Sequence, residues 1–269
     1  MTRQRHLSPR FEDLTETTGI PLSQEAADMM YTRYRVAAAA ADGKRVLELG
    51  CGAGQGLGLI GRSARLVVGG DFSLPLLHQA RRHYDRRFPL TRLTVDRLPF
   101  RDQAFDLVLC FEASYYVVDM SQGFREIARV LRPGGCALFA NANPQRPDFI
   151  KSPHSTHYHT ADEFRASLAG LGLQVEVHGA FPTEGRDPGV RAGARDLALQ
   201  LARRGLEALH LVPRTLRGRA RLKRLIYGRL REVPAEITDG FATETALTPL
   251  AGVPAREFKV IYVTARKPR

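Results

Sequence analysis

With 269 residues, 43% of them hydrophobic, the chain is long enough to build one large α/β domain, or a domain with an insertion. No stretch is apolar for long enough to span a membrane, and the first ten residues lack the apolar core of a secretion signal, so we expect a cytoplasmic protein. The net charge of +12 is concentrated in residues 185–231, which hold thirteen Arg and Lys against three acidic residues. The three cysteines lack C-x-x-C spacing, which predicts core packing and neither a zinc site nor a disulfide framework.

Apolar runs alternate with helical patterns along most of the chain, which predicts βαβ units and a mostly parallel sheet. We expect a loose arm over residues 1–22 and then a helix that Ser23 caps and that ends at Asp42-Gly43. The run Arg132 to Gly135 is a strong helix breaker, and Thr160-x-x-Glu163 has the spacing of a capping box. The predicted strands lie near 45–50, 65–71, 91–95, 105–111, 135–141, 173–180 and 257–265. The later helices are predicted near 56–63, 74–86, 121–131 and 161–171.

The basic segment does not fit this alternation. It predicts two helices, about 191–211 and 214–231, separated at Pro213, and the second helix carries an apolar stripe that ends at Leu230. We interpret the segment as a lid or a docking surface, and a solvated arginine-rich face is the alternative. The predicted organisation is an N-terminal arm and helix (1–43), a core (44–184), the basic insertion (185–235) and a closing strand of the core (236–269).

The most informative run extends from Val46 to Gly56, where a buried-strand pattern breaks into a loop with glycine at every second position. Glycines this dense let the backbone approach a ligand closely. Glu48 precedes the glycines, and a second apolar strand ends at Asp71. A strand, a glycine loop, a helix, a strand and an acidic residue in this order are typical of a nucleotide-type cofactor site.

Four motifs resemble those of class I S-adenosylmethionine-dependent methyltransferases, and the overall pattern is similar to type 11 enzymes of bacterial sugar and secondary-metabolite pathways. Glu48-x-Gly50-x-Gly52-x-Gly54 resembles motif I, and Gly70-Asp71-Phe72-Ser73 resembles the second motif. The stretch from Asp96 to Val108 resembles D-x-x-x-L-P-F … F-D-x-V, and Leu131 to Gly135 resembles L-(K/R)-P-G-G. The resemblance covers about Tyr31 to Pro182. It implies an α/β fold with a Rossmann-like, seven-stranded, mostly parallel sheet, helices on both faces and an antiparallel last strand.

The resemblance also implies S-adenosylmethionine as the cofactor. The backbone of the glycine loop would reach its methionine part, Asp71 would accept hydrogen bonds from both ribose hydroxyls, and Asp96 would accept one from the adenine amino group. Phe72 would pack on the adenine edge, and Arg33 would pair with the cofactor carboxylate. The expected cofactor-binding residues are Arg33, Glu48, Gly50, Gly52, Gly54, Asp71, Phe72, Asp96, Arg97, Leu98 and Phe111.

A Rossmann dehydrogenase is the alternative for the glycine loop. The dehydrogenase fingerprint is G-x-G-x-x-G, and the run that begins at Gly52 has Leu57 where the last glycine is required. The glycine rhythm therefore favours a methyltransferase.

The acceptor is expected near the loop that follows the fourth strand, because ligands collect at the carboxyl ends of the strands. This loop often carries histidines in the family that the chain resembles, whereas this chain has Glu112 followed by Tyr115 and Tyr116. Glu112 or Tyr116 would orient or deprotonate an acceptor hydroxyl. Simple packing is the alternative for the tyrosines.

A histidine-rich loop follows the fifth strand and offers further candidates. Three of the eight histidines lie within residues 154–159, and His154 and His157 are candidate general bases for a hydroxyl acceptor. A metal site is the rival interpretation, but no carboxylate lies at helical spacing, so we expect no metal. Polar loop histidines without a catalytic task are the other alternative.

Three interpretations compete for the acceptor. The first is a hydroxyl of a small molecule, such as a glycan or a secondary metabolite. The second is RNA, with the basic insertion holding phosphates, although the insertion has few aromatic residues for base stacking. The third is a membrane-docked enzyme that acts on a lipid-linked acceptor, with the insertion on anionic lipid. We favour the first.

Overall fold

The computed structural model describes residues 17–183, 230–251 and 253–269, which form an eight-stranded sheet, a two-stranded sheet and five α-helices. The strands are β1 (Pro21–Leu22), β2 (Arg45–Leu49), β3 (Leu66–Asp71), β4 (Leu90–Arg92), β5 (Phe105–Phe111), β6 (Leu131–Ala142), β7 (Gln174–Pro182), β8 (Arg231–Glu232), β9 (Thr248–Pro249) and β10 (Phe258–Arg266). The helices are α1 (Gln24–Ala40), α2 (Leu57–Ile60), α3 (Leu74–Tyr84), α4 (Met120–Val130) and α5 (Ala161–Ala169), with 3-10 turns at Ser114–Tyr116 and Ala255–Glu257.

The large sheet has the strand order β4-β3-β2-β5-β6-β10-β7-β9. Its first five strands pair in parallel, whereas β10 runs antiparallel to both β6 and β7. The carboxyl ends of the parallel strands therefore meet at one edge, which is where such folds bind ligands. The predicted Rossmann-like sheet with an antiparallel last strand is confirmed, and the two-residue β9 adds an eighth strand that the sequence did not predict.

Helices cover both faces of the sheet and divide the core into two clusters. Residues of α1, α2 and α3 contribute to one hydrophobic cluster, and residues of α4 and α5 contribute to the other. Strand β5 is buried along its whole length, with alternate side chains assigned to the two clusters. This arrangement accounts for its largely apolar sequence, since a strand covered on both faces has no polar side. The exception is the buried acid Asp106, which accepts a hydrogen bond from Arg45 N at 2.9 Å.

Two predicted helix starts are confirmed by their capping geometry. The Ser23 side chain accepts a hydrogen bond from Ala26 N at 3.2 Å at the start of α1. At the start of α5, the hydroxyl of Thr160 accepts from Glu163 N at 3.2 Å, and the Glu163 carboxylate accepts from Thr160 N at 2.7 Å. These bonds satisfy N–H groups that have no partner inside the helix.

Three local predictions are wrong. The strand predicted near 135–141 begins at Leu131, so the breaker from Arg132 to Gly135, which ends α4 as predicted, lies inside β6. Gly134 adopts φ +76° there and the register with β5 shifts, so a bulge accommodates the run. Residues 21–22 are not a loose arm, because they pair with residues 231–232. The second basic helix was predicted to reach Arg231, which instead begins β8.

Other predictions lie outside the described residues. These include the arm over 1–16 and nearly all of both basic helices, so the domain boundaries around the insertion stay predictions. Cys51, Cys110 and Cys136 are buried and free, as expected of core side chains. No helix in the described ranges combines the length and the apolar character that crossing a membrane requires.

Candidate active site

The glycine loop after β2 adopts the backbone conformations for which glycine is suited. Gly50, Gly52 and Gly54 have φ values of +76°, +56° and +83°. The loop is held against the neighbouring strand because the N–H groups of Gly50 and Cys51 both donate to the carbonyl oxygen of Gly70, at 2.8 and 3.1 Å. The result is an open backbone cradle at the carboxyl edge of the sheet.

The tyrosine Tyr34 of α1 packs directly against this loop. A side chain at Gly56 would overlap the ring of Tyr34, so only glycine lets the loop and α1 approach this closely. The Tyr34 hydroxyl donates to Glu48 Oε1 at 2.9 Å, and its ring contacts Phe111 edge-on at 5.8 Å. One aromatic side chain thus joins α1, β2 and β5 around the cradle.

Glu48 is buried at the end of β2, with 1% of its surface exposed. Burial raises the pKa of its carboxyl group to about 7, although the hydrogen bond from Tyr34 and the charge of Arg33 act in the opposite direction. Its second oxygen, Oε2, has no hydrogen-bond partner among the described residues. A buried acid in this state is suited to receive a positively charged group.

Asp71 ends β3 and closes the other side of the glycine loop. Its Oδ2 accepts from Gly52 N at 2.8 Å, and its Oδ1 accepts from Ser73 N at 2.8 Å. Burial raises the pKa of this carboxyl group, and both of these backbone hydrogen bonds lower it. Each oxygen retains a second lone pair that can accept from a ligand hydroxyl.

The residues expected around adenine lie beyond Asp71. Phe72 is 41% exposed and lies under the guanidinium of Arg92, 5.0 Å from the ring centroid. Asp96 is half-buried in a turn. The N–H of Arg97 donates to Thr94 O at 3.2 Å and that of Leu98 donates to a glutamate of α4 at 2.8 Å. The peptide N–H groups of Arg97 and Leu98 are therefore engaged within the protein.

A cleft of about 190 Å³ lies between α1, the glycine loop and the loop after β5. Six of the residues singled out from the sequence line it, namely Arg33, Gly50, Gly52, Phe111, Glu112 and Tyr116. Sequence reasoning did not assign a role in cofactor binding or catalysis to six further lining residues, namely Met30, Tyr34, Cys51, Gln55, Tyr115 and Ser152. A larger hollow of about 430 Å³, beside α5 and Ala255–Glu257, contains none of the predicted site residues.

The acceptor side of the cleft is built on Glu112. This residue follows β5 with φ +48°, a left-handed conformation that is uncommon outside glycine and that is enriched at functional sites. Its N–H donates to Ala140 O at 2.8 Å, which fixes the turn against β6. The hydroxyl of Tyr115 donates to Glu112 Oε2 at 2.7 Å, and the hydroxyls of Tyr116 and Ser152 lie 2.7 Å apart.

The two candidate histidines do not line this cleft. His154 is exposed, with φ +63°. His157 is also exposed, and its Nε2 lies 3.1 Å from a carboxylate oxygen of Glu163 at the start of α5. The general-base roles of both histidines stay predictions without support from their contacts. The same loop instead contributes Ser152 to the cleft.

The residues that line the cleft and those of the adjoining strand ends fit the expected cofactor. The glycine cradle would be filled by any Cβ at Gly50, which would clash with Ala113, and the buried Oε2 of Glu48 has no described partner for its hydrogen-bonding capacity. Arg33, which is 7% exposed, supplies a cation for a carboxylate, and Asp71 supplies acceptors for a diol. An amine, a carboxylate and a ribose are among the polar groups of S-adenosylmethionine.

Comparisons with known proteins agree with this chemistry. Residues 47–139 match a family described as a methyltransferase domain. A fatty-acid O-methyltransferase of Mycolicibacterium smegmatis is 37% identical over 134 residues, or 47% of this chain and 49% of that protein. A malonyl-[acyl-carrier protein] O-methyltransferase of Legionella pneumophila is 35% identical over 106 residues, or 38% of this chain and 37% of that protein. The chain thus spans about half, or less, of the length of these two relatives.

The fold comparison extends beyond the matched segment. The crystal structure of an S-adenosylmethionine-dependent methyltransferase from Archaeoglobus fulgidus superposes with a TM-score of 0.55 at 14% identity, covering 91% of this chain and 95% of that one. At that identity the superposition shows the fold alone. Taken with the motifs, the matched family shows that residues 47–139 resemble a methyltransferase domain, and the superposition shows that the described chain has the fold of an S-adenosylmethionine-dependent methyltransferase.

Proposed function

We propose that the protein transfers the methyl group of S-adenosylmethionine to a hydroxyl oxygen of a small-molecule acceptor, with Glu112 as the general base. The observation that carries this proposal is that Glu112 shares one cleft with the glycine loop. The cofactor would bind with its methionine part against Gly50 and Gly52, so its methyl group would lie near the carboxylate. Methyl transfer would then occur within the space that both line.

The reaction is an in-line displacement at the methyl carbon. The acceptor oxygen forms a bond to that carbon while the bond from carbon to sulfur breaks, and the sulfonium becomes a neutral thioether. The proton of the acceptor hydroxyl passes to Glu112, since loss of this proton strengthens the nucleophile. Tyr116 and Ser152, whose hydroxyls are 2.7 Å apart, supply hydrogen bonds that align the acceptor.

An acidic acceptor is the second candidate, because one relative is named for methylating a fatty acid. A carboxylate needs no base, and the ionised carboxylate of Glu112 would repel it across the cleft. Because Arg33 of the same cleft is assigned to the cofactor carboxylate, the charge of Glu112 favours a hydroxyl acceptor. Within the hydroxyl class, a glycan, a secondary metabolite and a lipid-linked acceptor all remain consistent with the lining residues.

The test is methyl transfer from radiolabelled S-adenosylmethionine into a bacterial extract, separated into RNA, lipid-glycan and small-molecule fractions. We expect label in the lipid-glycan or small-molecule fraction with the wild-type protein. With Glu112→Gln we expect at least about tenfold less label, because the variant keeps the size of the side chain but has no base. Cofactor affinity, measured by calorimetry, should stay within about twofold for this variant.

Two results would overturn the proposal. Label in the RNA fraction that nuclease treatment removes would show that the acceptor is RNA. Undiminished labelling by Glu112→Gln would show that Glu112 is not the general base. An acceptor that is already ionised, such as a carboxylate, would then explain the result. Exposed Asp102, which pairs with Arg129 and does not line the cleft, provides the carboxylate control as Asp102→Asn.

A further inference from the structure

Two stacked tyrosines support the acceptor side of the cleft, and one of them, Tyr115, also lines it. The rings of Tyr115 and Tyr158 are 4.1 Å apart between centroids and 17° from parallel, and both side chains are buried. We call this pair the tyrosine clamp. The sequence places its members 43 residues apart, on the turn after β5 and on the histidine-rich loop.

The first member of the clamp holds Glu112. The Tyr115 hydroxyl donates to Glu112 Oε2 at 2.7 Å, a short bond to a charged acceptor. The backbone carbonyl of Tyr115 accepts two bonds from Thr156, from its N–H at 2.7 Å and from its hydroxyl at 3.0 Å. Tyr115 is therefore fixed at its backbone, its ring and its hydroxyl.

The second member of the clamp supports Ser152. The Tyr158 hydroxyl accepts from Ser152 N at 3.2 Å, and Phe149 packs edge-on against the Tyr158 ring at 4.7 Å. Ser152 in turn lies 2.7 Å from the hydroxyl of Tyr116. Because the two rings stack, Tyr158, which contacts Ser152, is in direct contact with Tyr115, which contacts Glu112.

We propose that Tyr115 and Tyr158 are positioning residues, which together hold the Glu112 carboxylate and the Ser152 hydroxyl at the separation that one acceptor hydroxyl requires. This inference rests on the proposed function. The Tyr115 hydrogen bond orients the Glu112 carboxylate toward the acceptor hydroxyl. Tyr158 acts through Tyr115 and through Ser152, and it does not line the cleft itself.

Charged and titratable groups from several elements face Glu112. Arg33 on α1 lines the same cleft, and Tyr262 on β10 is buried and feels the charges of both Arg33 and Glu112. Burial and the nearby Glu112 charge raise the pKa of Tyr115, so this hydroxyl stays protonated and remains a donor. Burial also raises the pKa of Tyr158. Removing the Tyr115 donor therefore leaves Arg33 in place and changes one hydrogen bond to Glu112.

The test compares Tyr115→Phe, Tyr158→Leu and Tyr158→Phe. Tyr115→Phe loses the bond to Glu112 and should lower kcat about tenfold or more. The acid limb of its pH–rate profile should move to higher pH, because the ionised carboxylate of Glu112 has lost the hydrogen bond that the Tyr115 hydroxyl donates. Tyr158→Leu loses the stacking and should show the same shift, whereas Tyr158→Phe keeps the stacking and should lose only about threefold in rate. Cofactor affinity should stay within about twofold throughout.

A second measurement does not depend on activity. In protein with ¹³C-labelled glutamate carboxyl groups, the Glu112 signal is identified by its absence in Glu112→Gln, and its titration midpoint is followed by NMR. The midpoint should move to higher pH in Tyr115→Phe and Tyr158→Leu. Tyr31→Phe is the matched control, because Tyr31 is buried and its hydroxyl accepts from Gly240 N outside the cleft.

The outcomes separate this inference from the proposed function. Unmoved Glu112 midpoints in Tyr115→Phe and Tyr158→Leu would overturn the clamp, whatever the activity. Moved midpoints in a protein that labels no hydroxyl acceptor would retain the clamp as a device that orients Glu112 and would overturn only the proposed function. A shift of equal size in Tyr31→Phe would also contradict the clamp, because the effect would then be general.

Discussion

Both carboxylate oxygens of Asp71 hold backbone N–H groups of the cofactor cradle, from Gly52 and Ser73. The residue therefore shapes the loop and also presents acceptors to the ribose. We predict that Asp71→Asn weakens S-adenosylmethionine binding about tenfold to a hundredfold, since an amide has one acceptor oxygen and no charge. Isothermal calorimetry measures the affinity. An unchanged affinity would mean that the ribose lies elsewhere.

The buried acid Glu48 gives the protein a specific dependence on pH. Its pKa is about 7 in the folded protein, against an ordinary value of 4.5. Between these two values the folded state holds a proton that the unfolded state has released, so the free energy of unfolding falls as pH rises from about 4.5 to about 7. The difference corresponds to roughly 3 kcal/mol.

We predict that Glu48→Gln flattens this dependence, because glutamine cannot titrate. Urea unfolding at several pH values between 5 and 8 measures the free energy of unfolding for both proteins. Asp71 is also raised in pKa, but it is present in both, so the difference between the two curves reports Glu48. Parallel curves would show that Glu48 does not titrate in this range.

At the scale of secondary structure, the capping box of α5 is a test of local stability near the acceptor loop. Thr160→Ala removes the hydroxyl that accepts from Glu163 N, which should cost about 1 kcal/mol in the free energy of unfolding. Cofactor affinity should not change, because α5 lies outside the cleft. Ser63→Ala is a suitable control, since Ser63 is exposed in a turn. A loss no larger than that of the control would show that the cap contributes little.

Much of the sheet was predictable because its signals are local. The apolar run of β5, the glycine loop after β2 and the cap of α1 each depend on neighbours in sequence. The acceptor side was less predictable, because its contacts join distant residues. The bond between Tyr116 and Ser152 spans 36 positions, and that between Ile237 N and Gln55 O spans far more. The sequence suggested His154 and His157 as general bases, whereas Tyr115, Tyr116 and Ser152 line the acceptor side of the cleft.

The breaker before β6 shows a different limit of sequence reasoning. Proline and two glycines at 133–135 predict the end of a helix, and α4 does end at Val130. They do not predict that the same residues are part of β6, because that depends on the partner strands. Gly134 N donates to Lys267 O at 2.9 Å, and Gly135 O accepts from Lys267 N at 2.8 Å. The pairing with the far end of the chain overrides the local preference.

At the scale of the whole molecule, the cleft joins parts of the chain that are far apart in sequence. Its lining comes from α1, from the loop after β2, from the turn after β5 and from the histidine-rich loop. A ligand that contacts all four stabilises the folded state, because the unfolded chain cannot bring them together. The stabilisation depends on the concentration of ligand relative to its dissociation constant.

We predict that S-adenosylmethionine at a hundred times its dissociation constant raises the Tm by several degrees. Mass action gives about 2.7 kcal/mol under that condition, and a protein of this size gains roughly 2–4 °C for each kcal/mol. NADH should have no effect, because Leu57 stands where the dehydrogenase fingerprint requires glycine. Asp71→Asn should reduce the shift at the same cofactor concentration. A rise in Tm with NADH and none with S-adenosylmethionine would show that the glycine loop binds a different cofactor from the one proposed. The expected pattern would show that the cleft and the glycine loop bind S-adenosylmethionine together.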